Sequence, residues 1–168
     1  MITAYIGVGT NIDREKHVEA AVAELSQIGD NLKLSTVYEC PTVGFDSAPF
    51  YNLVIELETS MSFTQFTQTL RNIELRWGRS EFAKKFQDRT LDLDVLLFGE
   101  RVSSEKPELP RSDIFKYPFV IQPLYELCPN RIVPQDGRTI AQIWHQFGEF
   151  DSLTPISLWF ELTSEHHI

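Results

Sequence analysis

From Thr90 to Phe98 apolar and polar residues alternate with period two. Leu91, Leu93, Val95 and Leu97 fall on one face of a strand, and Asp92, Asp94, Leu96 and Phe98 on the other. Upstream, Ile2 to Val8 is rich in β-formers and predicts another strand, with Gly7-Val8-Gly9-Thr10-Asn11 read as a turn into a helix. Between Asp13 and Ile28 the period changes: Val18, Ala21, Val22, Leu25 and Ile28 recur at helical spacing, and Gly29 and Asn31 end the run. His17 is expected to be a solvated residue of that helix. Strands are predicted over Leu32 to Glu39 and Phe50 to Glu58, separated by a loop containing Gly44, Asp46, Ser47 and Pro49. Ser62 with Gln65 three residues on forms a capping-box signal, and Phe63, Phe66, Leu70, Ile73 and Trp77 make the apolar stripe of the helix it opens; Gly78 closes it.

The element order is therefore βαββαβ, which specifies an α+β, ferredoxin-like antiparallel sheet with its helices on one face. Pro118 to Leu127 and Thr139 to Phe147 read as two more helices, and Pro155 to Leu162 as a last strand. These form a C-terminal helical and strand addition. The expected organisation is one domain over 1–168, with residues 1–98 as the ferredoxin-like core and 99–168 packed on it. At 168 residues and 42% hydrophobic content the chain has enough apolar surface for a core.

Charge narrows the partners. A net charge of −9 argues against nucleic acid, because phosphate-backbone binding needs clustered lysine and arginine. Cys40 and Cys128 supply no disulfide framework, and no signal peptide or long apolar run is visible, so a cytoplasmic protein with no membrane partner is expected. Phosphate-loop, nucleophile-elbow and Cys-x-x-Cys patterns are absent. Gly7-x-Gly9 resembles the start of a dinucleotide fingerprint, but Ile12 stands where its last glycine is required.

The candidate chemistry lies in Asp92 and Asp94. On one strand face their Cα atoms are about 6.5–7 Å apart, a spacing that suits two hard cations or opposite sides of one. Mg²⁺ carrying phosphates is the natural neutraliser, since it takes one or two protein carboxylates and completes its octahedron with water and phosphate oxygens. Arg89 then reads as a phosphate clamp. A bare Asp-x-Asp also fits a solvated edge strand or a nucleotide-sugar glycosyltransferase. Residues 79–88 carry charge and aromatics without periodicity, and read either as a lid over the site or as a solvated connector.

The longer string Arg89-Thr90-Leu91-Asp92-Leu93-Asp94-Val95-Leu96-Leu97-Phe98-Gly99 closely resembles the signature of the 6-hydroxymethyl-7,8-dihydropterin pyrophosphokinase family of folate biosynthesis. The resemblance runs from Ile2 to about Phe147 and includes the opening Ala4-Tyr5-Ile6-Gly7-Val8-Gly9-Thr10-Asn11. It implies transfer of a pyrophosphoryl group from ATP to the hydroxymethyl oxygen of the pterin, releasing AMP, in a monomer acting on small molecules. By the same resemblance Pro41, Thr42, Val43, Phe50, Asn52, Phe86 and Phe119 bind the pterin. Glu74, Arg79, Arg89 and Arg111 bind ATP, Arg79, Arg89, Asp92 and Asp94 are catalytic, and Asp92 and Asp94 hold two Mg²⁺ ions. The chain departs from the family at Lys85-Phe86-Gln87-Asp88-Arg89, where Arg-Trp-Gly-Pro-Arg is usual. It also departs at Glu81, at Arg111 in place of histidine, and at Tyr117 in place of a basic residue. A thinned cation set leaves two other readings, a pterin-binding or regulatory module and a transferase for a different alcohol.

Overall fold

The computed structural model describes residues 1–41, 48–78, 90–148 and 150–161. Strand β1 (Ile2–Thr10) is followed by α1 (Arg14–Ser26), β2 (Asp30–Leu34), β3 (Val37–Cys40), β4 (Phe50–Thr59), α2 (Phe63–Arg76) and β5 (Asp92–Phe98). The C-terminal part adds a 3-10 helix at Ser112–Phe115, α3 (Pro118–Leu127), α4 (Ile140–Phe147) and β6 (Thr154–Ile156). The sheet order is β5-β1-β4-β3-β6, with β2 also on β4, and every pairing is antiparallel. This is the expected ferredoxin-like arrangement. Helices α1 and α2 pack on one face, with Val18, Val22, Leu25, Phe66 and Ile73 against Ile6, Val8, Leu53, Ile55 and Leu57. The C-terminal helices cover part of the other face, where Ile121, Leu124, Ile140 and Ile143 meet Tyr5, Val54, Leu96 and Leu97.

The capping box expected at Ser62 closes, and a second one forms at Thr139. Ser62 Oγ accepts the Gln65 N–H at 3.2 Å while the Gln65 amide oxygen accepts the Ser62 N–H at 3.0 Å. Thr139 and Gln142 repeat the exchange at the start of α4. Each cap satisfies donors that the first helical turn leaves without a partner, a contribution of about 1 kcal/mol.

Five expectations change. Gly7 to Thr10 is strand rather than turn, because β4 pairs all four residues and β5 pairs Gly7 to Gly9 from the other side. The strand expected over Leu32 to Glu39 is broken at Ser35-Thr36: Ser35 Oγ takes the Val54 N–H at 2.9 Å and the Thr36 N–H goes to Glu126 at 2.8 Å, so side chains replace ladder partners. In β5 the alternation slips, since Tyr5 pairs Leu97 but Ile6 pairs Val95, leaving Leu96 as the extra residue of a β-bulge. Phe98 therefore joins the α1/α2 core and Leu97 the opposite one. The last strand is only Thr154–Ile156, short of the Leu162 expected, and residues 162–168 lie outside the described ones. His17 is buried, its Nδ1 2.6 Å from the Ile12 carbonyl and its ring edge-on to Trp77, because the helix lies deeper on the sheet than its polar residue implied.

Candidate active site

The end of the α3/α4 face that these helices leave uncovered among the described residues is built by strand register. Asp92 pairs Gly9, Gly9 pairs Asn52 and Asn52 pairs Tyr38, so these four residues form one row across β5, β1, β4 and β3. The next row runs Asp94, Gly7, Val54. With strands about 4.8 Å apart, Asp92 and Asn52 stand two spacings apart, about 9.6 Å, with the backbone of Gly9 between them. A Cβ on Gly9 would lie 3.1 Å from Asn52 Oδ1, so the glycine lets the Asn52 amide settle against the strand where any other residue would push it away. These glycines were missed as site residues. Their signal was present in the sequence, two glycines at strand spacing, but only the register shows what stands opposite.

Asp92 and Asp94 are both half-buried and share this face. Burial first, and then the charge of Asp92, push the Asp94 carboxyl well above its usual value; the Arg111 guanidinium pulls in the other direction. Between the two aspartates, the Leu93 N–H donates to the Glu74 carboxylate at 2.8 Å. Glu74 is itself buried in α2, so it ties that helix to the strand carrying both carboxylates. Arg111 reaches Asp94 Oδ1 with Nη2 at 3.6 Å and Asp113 Oδ2 with Nε at 3.1 Å.

At the far end of the row, Tyr38 donates its hydroxyl to Glu126 of α3, and Gln122 donates to the Tyr38 oxygen at 3.2 Å. Trp144 of α4 donates to Gln122 at 2.6 Å, which ties both helices to β3. Phe119, in the first turn of α3, is half-buried with Tyr117 stacked on it at 4.9 Å between ring centroids. Phe50 pairs Cys40 and shares the face of Asn52, and Pro41 is exposed just beyond. Asn11 and Arg14 hold the carbonyls of Ala48 and Pro49 at 3.1 Å each, fixing the chain where it re-enters β4. Thus Phe50, Asn52, Asp92 and Asp94 lie on one face of the sheet, with Arg111 over Asp94. Thr42, Val43, Arg79, Phe86 and Arg89, with the expected lid, lie outside the described residues.

The donor set suits a hard cation that brings ligands of its own. Two carboxylates stand two residues apart on one strand, paired with Gly9 and Gly7 of β1, and among the described residues no group of three or more His, Cys, Asp or Glu is placed to hold a metal.

Fold and site together define a ferredoxin-like α+β protein with a carboxylate-and-amide cleft on one sheet face. Residues 5–129 match the family described as 7,8-dihydro-6-hydroxymethylpterin-pyrophosphokinase (HPPK), and the chain belongs to that family. It is 32% identical over 154 residues to a Haemophilus influenzae protein named 2-amino-4-hydroxy-6-hydroxymethyldihydropteridine pyrophosphokinase, covering 89% of this chain and 95% of the relative. A Bacillus subtilis protein of the same name is 37% identical over 130 residues, covering 74% and 77%. Among solved structures, Plasmodium falciparum HPPK-DHPS superposes with a TM-score of 0.69 at 12% identity, over 87% of this chain and 44% of that one, a likeness of fold. ATP is a co-substrate of this family.

Proposed function

We propose that this chain transfers the pyrophosphoryl group of ATP to the hydroxymethyl oxygen of 6-hydroxymethyl-7,8-dihydropterin, giving AMP, as a step of folate synthesis. Family membership supports the reaction, and the Asp92–Gly9–Asn52 row is the observation that carries it onto this chain. A flat heterocycle bound between Asn52 and the two aspartates places its hydrogen-bonding edge at the Asn52 amide and its hydroxymethyl arm toward the carboxylates. Phe50 and Phe119 offer apolar ring faces, and Pro41, Thr42, Val43 and Phe86 complete the pterin contacts.

The hydroxymethyl oxygen attacks the β-phosphorus. An O–P bond forms, the bridge between α- and β-phosphates breaks, AMP leaves with the bonding pair, and the hydroxyl proton passes to water. Two Mg²⁺ ions held by Asp92 and Asp94 would neutralise the phosphate charge that develops. Glu74 keeps the two carboxylates in register by holding the Leu93 N–H. Beyond this, Glu74, Arg79, Arg89 and Arg111 are proposed to bind ATP, and Arg79 and Arg89 to act on the transferred group. The reading as a non-catalytic pterin-binding module is not favoured, since both aspartates face the cleft and the relatives are named pyrophosphokinases. A cytoplasmic monomer without nucleic-acid or membrane partners completes the proposal; among the described residues no helix is long and apolar enough to cross a membrane.

The test is AMP release from ATP with Mg²⁺ and 6-hydroxymethyl-7,8-dihydropterin. Pterin-dependent AMP is the expected result, and release no greater than a control without pterin overturns the proposal.

A further inference from the structure

The segment before the 3-10 helix fixes Arg111 beside the edge of β5 that faces away from β1. Its backbone N–H donates to the carbonyl of Leu96, the bulge residue, at 3.1 Å. Just before it, Leu109 is buried and exchanges two backbone hydrogen bonds with Ser103, at 2.8 and 3.0 Å. The main chain of Arg111 is thus anchored while its side chain is part-exposed. The guanidinium sits between two carboxylates of unequal hold, Asp113 at 3.1 Å and Asp94 at 3.6 Å. A positive charge within 4 Å of Asp94 occupies the electrostatic position that a cation would take. The Asp113 contact offers it a second resting place, two residues along the same backbone.

We propose that Arg111 is a tethered counter-ion that competes with free metal at Asp94 and yields most readily when phosphate arrives. This inference rests on Asp92 and Asp94 being the cation site. Without nucleotide, the guanidinium neutralises Asp94 and repels an incoming divalent ion. With nucleotide, phosphate oxygens match the planar donor fork better than a 3.6 Å contact to one carboxylate oxygen, so Arg111 moves onto phosphate and Asp94 is released to the metal. Arg111 is therefore a positioning residue that acts on the metal through Asp94, and it biases the site toward metal delivered together with phosphate.

Mn²⁺ titration of the full chain, followed by electron paramagnetic resonance in the absence of nucleotide, tests this directly. Arg111→Gln is expected to bind Mn²⁺ at least about tenfold more tightly than the parent, whereas Arg111→Lys, which keeps the charge, stays near the parent value. Asp113→Asn removes the second resting place and is expected to weaken free Mn²⁺ binding several-fold. In EDTA, Arg111→Gln should also melt at a lower temperature than the parent and regain the difference in Mg²⁺. An Arg111→Gln affinity within twofold of the parent overturns the inference, as does an unchanged affinity in Asp113→Asn. Should Asp92→Ala bind Mn²⁺ as tightly as the parent, the cation-site assignment fails and this inference with it. Should AMP release fail while Mn²⁺ binding responds as described, the counter-ion stands and the reaction assignment falls.

Discussion

The two faces of the sheet use the same strands for opposite ends. On the α1/α2 face Ile6, Val8, Leu53, Ile55, Leu57, Leu93 and Val95 interlock with helix residues and almost no area reaches solvent. One residue along each strand, the other face carries Gly7, Gly9, Asn52, Asp92 and Asp94, with α3 and α4 covering only the rest. A strand's period of two lets a rigid hydrocarbon layer hold costly carboxylates in place from behind. The packed face should therefore answer mutation with lost stability, and the open face with lost function.

The largest effect expected is on the open face. Asp92→Ala should lower pterin-dependent AMP release about a thousandfold, because charge neutralisation at the transferred group is lost. Its circular dichroism spectrum should match the parent; an unfolded Asp92→Ala protein in metal-free buffer would make the aspartate structural and end the contrast between faces.

Phe66→Ala breaks the other side. Phe66 is fully buried against Phe98, and its removal should cost about 3–5 kcal/mol in a denaturant titration. Any folded fraction should still bind pterin.

Gly9→Val probes the row between Asp92 and Asn52. The new side chain meets Asn52 and Phe50, so pterin binding measured by calorimetry should weaken about a hundredfold, or roughly 2.7 kcal/mol. Undiminished binding would move the pterin off this row.

A smaller effect is expected from pH. The Asp94 carboxyl is raised in the folded chain above the ordinary 3.8, so the folded state holds its proton more firmly than the unfolded state does. The resulting stabilisation is complete below the ordinary aspartate range and is lost as pH rises through the raised value. Denaturant midpoints in EDTA should accordingly fall over that window, Asp94→Asn should flatten the fall, and Mg²⁺ should oppose it. The smallest change is Ser62→Ala, about 1 kcal/mol from the lost α2 cap, with AMP release unaffected.

Local rules made much of this chain legible. The helical period of Val18 to Leu25, the capping pair Ser62–Gln65, and the alternation of Leu91 to Val95 each depend on neighbours within one turn or one strand, so they survive without tertiary knowledge. Asp92 and Asp94 were readable for the same reason, as was the family signature around them. What only the tertiary structure decided involves partners far along the chain. The Leu96 bulge exists because β1 imposes its register on β5, and that register sends Phe98 and Leu97 to the faces opposite those their spacing implied. Gly9 came to lie between Asp92 and Asn52 because β4 and β5 flank it, His17 became buried because α1 settles beside Trp77, and Arg111 came to face Asp94 through a backbone bond to Leu96. Periodicity tells a residue which way to point along its own element. Register and docking decide what it meets there.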